Sequence, residues 1–350
     1  MARRDKAIAT SICHSILASE SDKQPSLSQR IPAFFYTYSL IFACLYEELF
    51  TSLREIWHLD EQSYFDSFRA GSKDALVPME DMGYSGSTFF TTSDGKYLVK
   101  SIPRHFEHSF FKDDLLMPYA EHMRQHRFSL LVRITDFLEN THASVGTMVG
   151  LAPSHHIVME NLKFGEKDDK RDVEWETWDL KPMSYFYPER DVADGKLTSE
   201  ATKSKLADDF DEKLVLSTEN AAALREQLQK DTAFLAECNA VDYSLFLVRV
   251  PADTSSKPQG ELEVPMEPPL VPPGPPSWRT GMKSADGKWV YRASILDFFW
   301  AKHKVHAQAM TGLIKTYNIV DKQGPMSVTT NSQEYRERFL KMCDEMIEVK

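Results

Sequence analysis

Three residues in this chain join chemistry to a telling local context: Lys100, Asp242 and Asp297. Lys100 sits near the end of Tyr84–Ile102, read YSGSTFFTTSDGKYLVKSI. Within it, Ser85-Gly86-Ser87 is a turn of small residues, Thr88–Thr92 a β-rich run, Ser93-Asp94-Gly95 a hairpin signal and Tyr97–Val99 a second apolar strand. A turn without bulky side chains lets backbone N–H groups approach phosphate oxygens, and a lysine on the paired strand offsets their charge. No Gly-Lys-Ser/Thr opens a helix here, so the pattern is not a P-loop. Taken alone, the stretch reads first as an ordinary strand–turn–strand. Asp242 and Asp297 each interrupt an apolar, β-rich segment. A carboxylate in such a place is costly unless it is paired, hydrogen-bonded or bound to a metal, although either one alone also fits a strand end. Together with Lys100 and the turn they supply what phosphoryl transfer needs. One carboxylate orients or deprotonates the attacking hydroxyl, another holds Mg2+ against the phosphates of ATP, and the lysine neutralises them.

The elements that must position these residues follow from periodicity. Glu47–Phe68 carries apolar residues at helical spacing around Leu49, Leu53 and Ile56, with a second short helix from Asp60. Ser109–His126 reads as a helix, and Leu130–Phe137 and His156–Met159 as strands. Lys163–Glu176 is a charged loop. Thr218–Glu237 is a helix with Leu224, Leu228 and Leu235 on one face, leading directly into the β-rich Ala240–Val250. Pro251–Pro276 holds nine of the 18 prolines and reads as a solvated insertion, with order resuming in a strand at Lys288–Phe299. Ser332–Val349 is a terminal helix opened by a serine cap, and carries Tyr335, Phe339, Met342 and Met346. Pro32–Tyr46 is the most apolar run. It is shorter than a bilayer-crossing helix and reads as a buried helix, with an interfacial helix as the alternative. Residues 1–30 read as a polar, mobile terminus.

With 350 residues, 42% of them hydrophobic, the chain can bury a substantial core in one large or two ordinary domains. A net charge of −11 argues against a general nucleic-acid binder. The four cysteines are far apart and have no zinc-ligand spacing, which fits a reducing cytosol or nucleus. The N-terminal residues lack the apolar core of a secretory signal.

At the chemistry-bearing positions the chain resembles the phosphatidylinositol phosphate kinase family, over roughly residues 47–350. The matching blocks run in family order: EELFTSLREIWHLDEQSYFDSF, SGSTFFTTSDGKYLVKSI, VMENL, DLK at Asp179–Lys181, QLQKDTAFLAECNAVDYSLF, SILD and SVTTNSQEYRERFLKM. VDYSLF after a KDxxFL helix is the specific combination, and no HRD or DFG segment marks a protein kinase. The resemblance implies that Lys100 contacts the ATP phosphates, Ser85, Gly86 and Ser87 cover them, and Met159, Asn161 and Leu162 line the adenine pocket. It makes Asp242 the catalytic-loop aspartate and Asp297 the Mg2+ ligand. Glu107 is placed to pair with Lys100, or is a solvated helix charge. Lys181 and Arg190 are substrate-side cations, although DLK continues as Pro182-Met183-Ser184 where the family usually has Gly-Ser. Phe298–Val320 contains Lys302, Lys304 and Lys315 but no acid, with Phe298, Phe299, Trp300 and Met310 as apolar surface. It corresponds to the family's lipid-selecting activation loop and suits an anionic membrane, or is a plain surface helix.

The expected fold is α+β and two-lobed, with an antiparallel N-terminal sheet and a smaller C-terminal sheet flanked by helices. The expected boundaries are a terminus at 1–30, an N-terminal lobe at 31–160 and a C-terminal lobe at 161–350. The last contains a Pro-rich insertion at 251–285 and an activation segment at 298–325. The implied activity is ATP- and Mg2+-dependent phosphorylation of a phosphatidylinositol monophosphate at a membrane surface, giving phosphatidylinositol 4,5-bisphosphate. The alternative is a catalytically weak relative that binds phosphoinositide or a partner. No nucleic-acid partner is expected and a homodimer is left open. The expected location is cytoplasmic and peripheral to membranes, with the nucleus also open.

Overall fold

The computed structural model describes residues 3–19, 41–69, 75–79, 87–141, 153–171, 173–182, 208, 210–252, 277–301 and 331–350. They divide into two compact units. The first comprises the described residues up to Arg104 and those of Val132–Asp172. The second comprises His105–Leu131 and the described residues from Val173 onward that follow it in the fold. His105–Leu131 therefore belongs with the C-terminal body, against the expected boundary at 160.

The first unit is built on a six-stranded antiparallel sheet. Its elements are α1 (Arg3–Ser19), β1 (Phe42–Leu45), α2 (Glu47–Ile56), α3 (Glu61–Arg69), β2 (Leu76–Pro78), β3 (Phe89–Thr92), β4 (Tyr97–Ser101), β5 (Ile134–Asn140) and β6 (His155–Glu160). The strand order is β1-β5-β6-β4-β3-β2. The β3–β4 hairpin forms where the sequence placed it, and Gly95 turns it at φ 73°, a conformation that favours glycine.

Two expectations fail here. Arg3–Ser19 is a helix, with Ile8, Ile12 and Ile16 fully buried. That i, i+4, i+8 stripe lies among polar residues whose hydroxyls turn back onto the helix: Thr10 donates to Lys6 O, Ser11 to Ala7 O and Ser15 to Ser11 O. Phe42–Leu45, expected in a buried helix, is an edge strand paired with β5. Four apolar residues in a row do not distinguish the two by period. In α2 the buried face runs through Phe50 and Leu53, while Ile56 is exposed.

The second unit opens with α4 (His105–Phe110), a π-helical turn (Phe111–Leu115) and α5 (Leu116–Gln125). It continues through β7 (Glu176–Leu180), β8 (Leu214–Leu216), α6 (Thr218–Glu237), β9 (Ala240–Val241), β10 (Ser244–Pro251), β11 (Met282–Lys283), β12 (Trp289–Leu296), β13 (Trp300–Ala301), α7 (Ser332–Met346) and β14 (Ile347–Val349). A four-stranded antiparallel sheet has the order β11-β12-β10-β7. Ser217 Oγ caps α6 by accepting from Asn220 N at 3.2 Å. The terminal helix is capped by Asn331 rather than Ser332, and after Met346 the chain becomes a strand parallel to β8. The expected insertion at 251–285 is narrower than proposed. Pro251 ends β10 opposite Trp289, and order is present from Ser277, with Trp278 and Arg279 buried.

Candidate active site

The two aspartates lie at coincident breaks in neighbouring ladders. β10 and β12 pair as far as Ser244 opposite Leu296. Pairing resumes with Val241 opposite Trp300 in β9 and β13. Between the ladders, Asp242-Tyr243 on one chain segment faces Asp297-Phe298-Phe299 on the other. Both aspartates take positive φ, 64° at Asp242 and 61° at Asp297. Non-glycine residues hold that conformation only where the surroundings enforce it, and such positions cluster at functional sites.

Lys181 completes the cluster. It directly follows β7, whose Leu180 pairs with Leu245 of β10. Its ammonium donates to Asp242 Oδ1 at 3.0 Å, with both side chains largely buried. Burial opposes the Lys181 charge, but the carboxylates of Asp242, Asp179 and Asp297 outweigh it and hold its pKa above the usual lysine value. An ammonium has three donors and a carboxylate two acceptor oxygens. Neither side chain has another hydrogen-bond partner among the described residues. The pair therefore keeps two donors and an acceptor oxygen free for something not made by the described chain.

Other contacts brace the junction. The Tyr335 hydroxyl donates to the Tyr243 carbonyl, and the Tyr243 ring packs edge-on against Tyr335 and Phe339 at 4.7 and 4.9 Å. Behind β12, Leu130 O accepts from Ile295 N at 2.7 Å and from Ser294 Oγ at 2.7 Å. Leu130 N in turn donates to the fully buried Asp231, which also accepts from Ser129 Oγ and contacts His122 Nε2 at 2.7 Å. Sequence reasoning missed Asp231, although a signal was present: it is a carboxylate within the apolar stripe of Leu224, Leu228 and Leu235.

In the first unit, Lys100 is buried in β4 opposite Phe89 and Ile157, its ammonium 5.3 Å from the Phe89 ring centre. Ser87 is buried at the start of the hairpin. Met159 is buried in β6 between Leu98 and Ile134. Asn161 fastens the hairpin end: its Nδ2 donates to Gly95 O at 2.8 Å and its Oδ1 accepts from Lys163 N at 3.0 Å. Leu162 is buried beside it. Ser85, Gly86, Arg190, Lys302 and Lys304 lie outside the described residues.

Phe298, Phe299 and Trp300 are core residues, not the exposed apolar face expected of them. They pack on Tyr119, Phe111 and Phe106. Glu107 is also buried, and accepts from Trp300 Nε1 at 2.8 Å. Among the described residues no group of three or more acidic, histidine or cysteine side chains could hold a metal, and no helix is long and apolar enough to cross a membrane.

A unit on a six-stranded antiparallel sheet and a second on a smaller sheet flanked by helices define an α+β, kinase-like fold. The profile of the family described as Phosphatidylinositol-4-phosphate 5-Kinase matches residues 70–267, more than half of the chain, and the chain belongs to that family. It is 31% identical over 133 residues to the phosphatidylinositol 4-phosphate 5-kinase its3 of Schizosaccharomyces pombe, covering 38% of this chain and 16% of the relative. It is 26% identical over 198 residues to the phosphatidylinositol 4-phosphate 5-kinase type-1 beta of Gallus gallus, covering 57% and 34%. It is 25% identical over 203 residues to the phosphatidylinositol 5-phosphate 4-kinase type-2 alpha of Homo sapiens, covering 57% and 45%. The matched stretch thus spans less than half the length of each of these relatives.

Proposed function

We propose that this chain transfers the γ-phosphoryl group of ATP to an inositol hydroxyl of a phosphatidylinositol monophosphate, giving phosphatidylinositol 4,5-bisphosphate. The observation that carries the reading is the Lys181–Asp242–Asp297 cluster, with its unused donors and acceptor, in a chain of this family. The relatives' names include both a kinase adding the 5-phosphate to the 4-phosphate and one adding the 4-phosphate to the 5-phosphate. Either route fills the same two ring positions, so one product follows from both.

Asp242 acts on the attacking hydroxyl. Lys181 engages its Oδ1 and leaves the other carboxylate oxygen to take the hydroxyl proton. The remaining Lys181 donors serve a phosphate, Lys100 offsets the charge on ATP, and Ser85, Gly86 and Ser87 are the residues assigned to cover its phosphates. Met159, Asn161 and Leu162 border the adenine. Asp297 would hold Mg2+, a cation that needs only one or two carboxylates beside phosphate and water oxygens, so the lack of a three-acid cluster among the described residues does not bar it. When bound, the ion neutralises charge on the phosphate oxygens. Arg190, Lys302 and Lys304 are the cations for the lipid phosphate and an anionic membrane surface, where the protein acts as a peripheral enzyme on the cytoplasmic side.

The test is labelled ATP and Mg2+ with vesicles carrying each of the three phosphatidylinositol monophosphates in turn, with the position of the new phosphate resolved. Label in the 4,5-bisphosphate is expected, and no labelled lipid from any substrate overturns the reading. Vesicle binding without turnover would support a second reading, a catalytically weak phosphoinositide-binding protein. Pro182 favours that reading, because it removes a backbone N–H directly after Lys181.

A further inference from the structure

Trp300 touches both parts of the second unit that the chemistry depends on. Its backbone pairs with Val241, the residue before Asp242, and it lies three positions after Asp297. Its indole Nε1 donates to Glu107 Oε1 at 2.8 Å, and its ring meets Phe106 edge-on at 4.6 Å. Phe299 meets Phe111, the first residue of the π-helical turn, at 5.3 Å. A π-turn inside a helix commonly marks a place where function distorts the regular ladder. Here the distortion coincides with the packing of the segment that follows Asp297.

We propose that Trp300 is a positioning residue that ties the helix at His105–Phe110 to the junction of Asp242 and Asp297. The indole fixes the buried Glu107 carboxylate. The β13–β9 pairing fixes the two breaks at which the aspartates hold positive φ. Two strained residues flanked by a pairing that, among the described residues, has two residues per strand need an external anchor, and the Trp300–Glu107 bond is that anchor.

The inference rests on the lipid-kinase reading for its turnover arm only, so the experiment carries a second arm that needs no activity. Trp300→Phe keeps an aromatic ring against Phe106 and removes the N–H donor. Its kcat should fall about 10-fold or more, the scale of a lost hydrogen bond to a charged group, while KM for ATP changes less than about threefold. Amide exchange should quicken about 10-fold in Ala240–Tyr243 and Asp297–Ala301 and stay unchanged in the six-stranded sheet. Glu107→Leu should reproduce the exchange change, and the double variant should be no worse than either single one. Unchanged exchange in Trp300→Phe, or additive effects in the double variant, overturns the proposal. If the wild type phosphorylates no lipid, the kinase reading falls and exchange alone decides the role of Trp300. If Trp300→Phe does not fold, Glu107→Leu breaks the same bond from the other side and decides it.

Discussion

Arg54 and Asp136 meet inside the first unit at 3.3 Å, and Lys181 and Asp242 meet inside the second at 3.0 Å. The two buried pairs are otherwise unlike. Arg54 also donates to Glu61 Oε1 at 2.8 Å, to Thr135 O at 2.7 Å and to Thr51 Oγ1 at 3.0 Å, and its guanidinium lies 4.5 Å over the Tyr64 ring. Asp136 takes a further bond from the Tyr64 hydroxyl at 2.7 Å. Every strong donor there has a destination within the unit, and the planar guanidinium suits such many-sided engagement. Lys181 and Asp242 share one hydrogen bond at a point where the strands part and the backbone is strained. A closed network specifies a fold, whereas an open one is available to a ligand.

The comparison breaks most visibly at Asp242. Asp242→Asn retains an oxygen for Lys181 but loses the basic carboxylate, so kcat should drop by about 10^2–10^4-fold, the usual worth of a general base. Its melting temperature should stay close to that of wild type. Near-normal turnover would remove Asp242 from the chemistry and make both pairs structural.

Arg54→Met attacks the closed pair. It leaves Asp136 and Glu61 without their cation in a site where Arg54 and Asp136 are each 4% exposed, and should cost about 3–5 kcal/mol in urea unfolding. Turnover per folded molecule should be largely retained. A loss under about 1 kcal/mol would mean that the network contributes little net stability.

His156 is a buried polar group of another kind in the first unit. It is fully buried in β6, neither ring nitrogen has a hydrogen-bond partner among the described residues, and Phe42 meets it edge-on at 4.9 Å. Burial, with the neighbouring His155, pushes its pKa down from 6.5 to about 3. The folded state therefore holds it neutral, while the unfolded chain protonates it below pH 6.5. Its contribution is intact above that pH and is lost as the pH falls toward 3, amounting to about 2 kcal/mol by pH 5. His156→Leu should flatten the stability–pH curve by that amount across this window, and an unchanged curve would show that other groups set the acid limit.

How far these features were legible in the sequence depends on the distance over which they act. The β3–β4 hairpin and Lys100 are local patterns, and the structure has each in the element expected. The aspartates, read as lying inside apolar β-rich runs, stand instead at the breaks between β9 and β10 and between β12 and β13. Arg54–Asp136 and Trp300–Glu107 join residues 82 and 193 positions apart, and no periodicity carries such a pairing. α1 was concealed by composition, since serines and threonines that normally compete with a helix instead bond within it. Phe298–Trp300 looked like exposed apolar surface because basic residues follow, but the aromatic partners that bury it lie on α4, the π-turn and α5.

The smallest expected effect is the most discriminating between the two pairs. Lys181→Met removes one hydrogen bond and the ammonium that Asp242, Asp179 and Asp297 all stabilise. Those carboxylates then repel one another, while the burial cost of the lysine charge disappears, so the two changes partly offset. The net loss of stability should be about 1 kcal/mol, the scale of a single hydrogen bond. An ion that binds the folded state alone adds stability in proportion to RT ln(1 + [L]/Kd), and a cluster of carboxylates stripped of its internal cation binds a hard cation better. Millimolar Mg2+ should therefore recover most of the loss in Lys181→Met and none of the loss in Arg54→Met, where the carboxylates are enclosed by protein donors. Thermal melts of both variants, with and without Mg2+, decide the matter. Equal recovery in the two, or recovery in neither, would mean that Lys181–Asp242 is as closed as Arg54–Asp136 and that the open pair is not a ligand site.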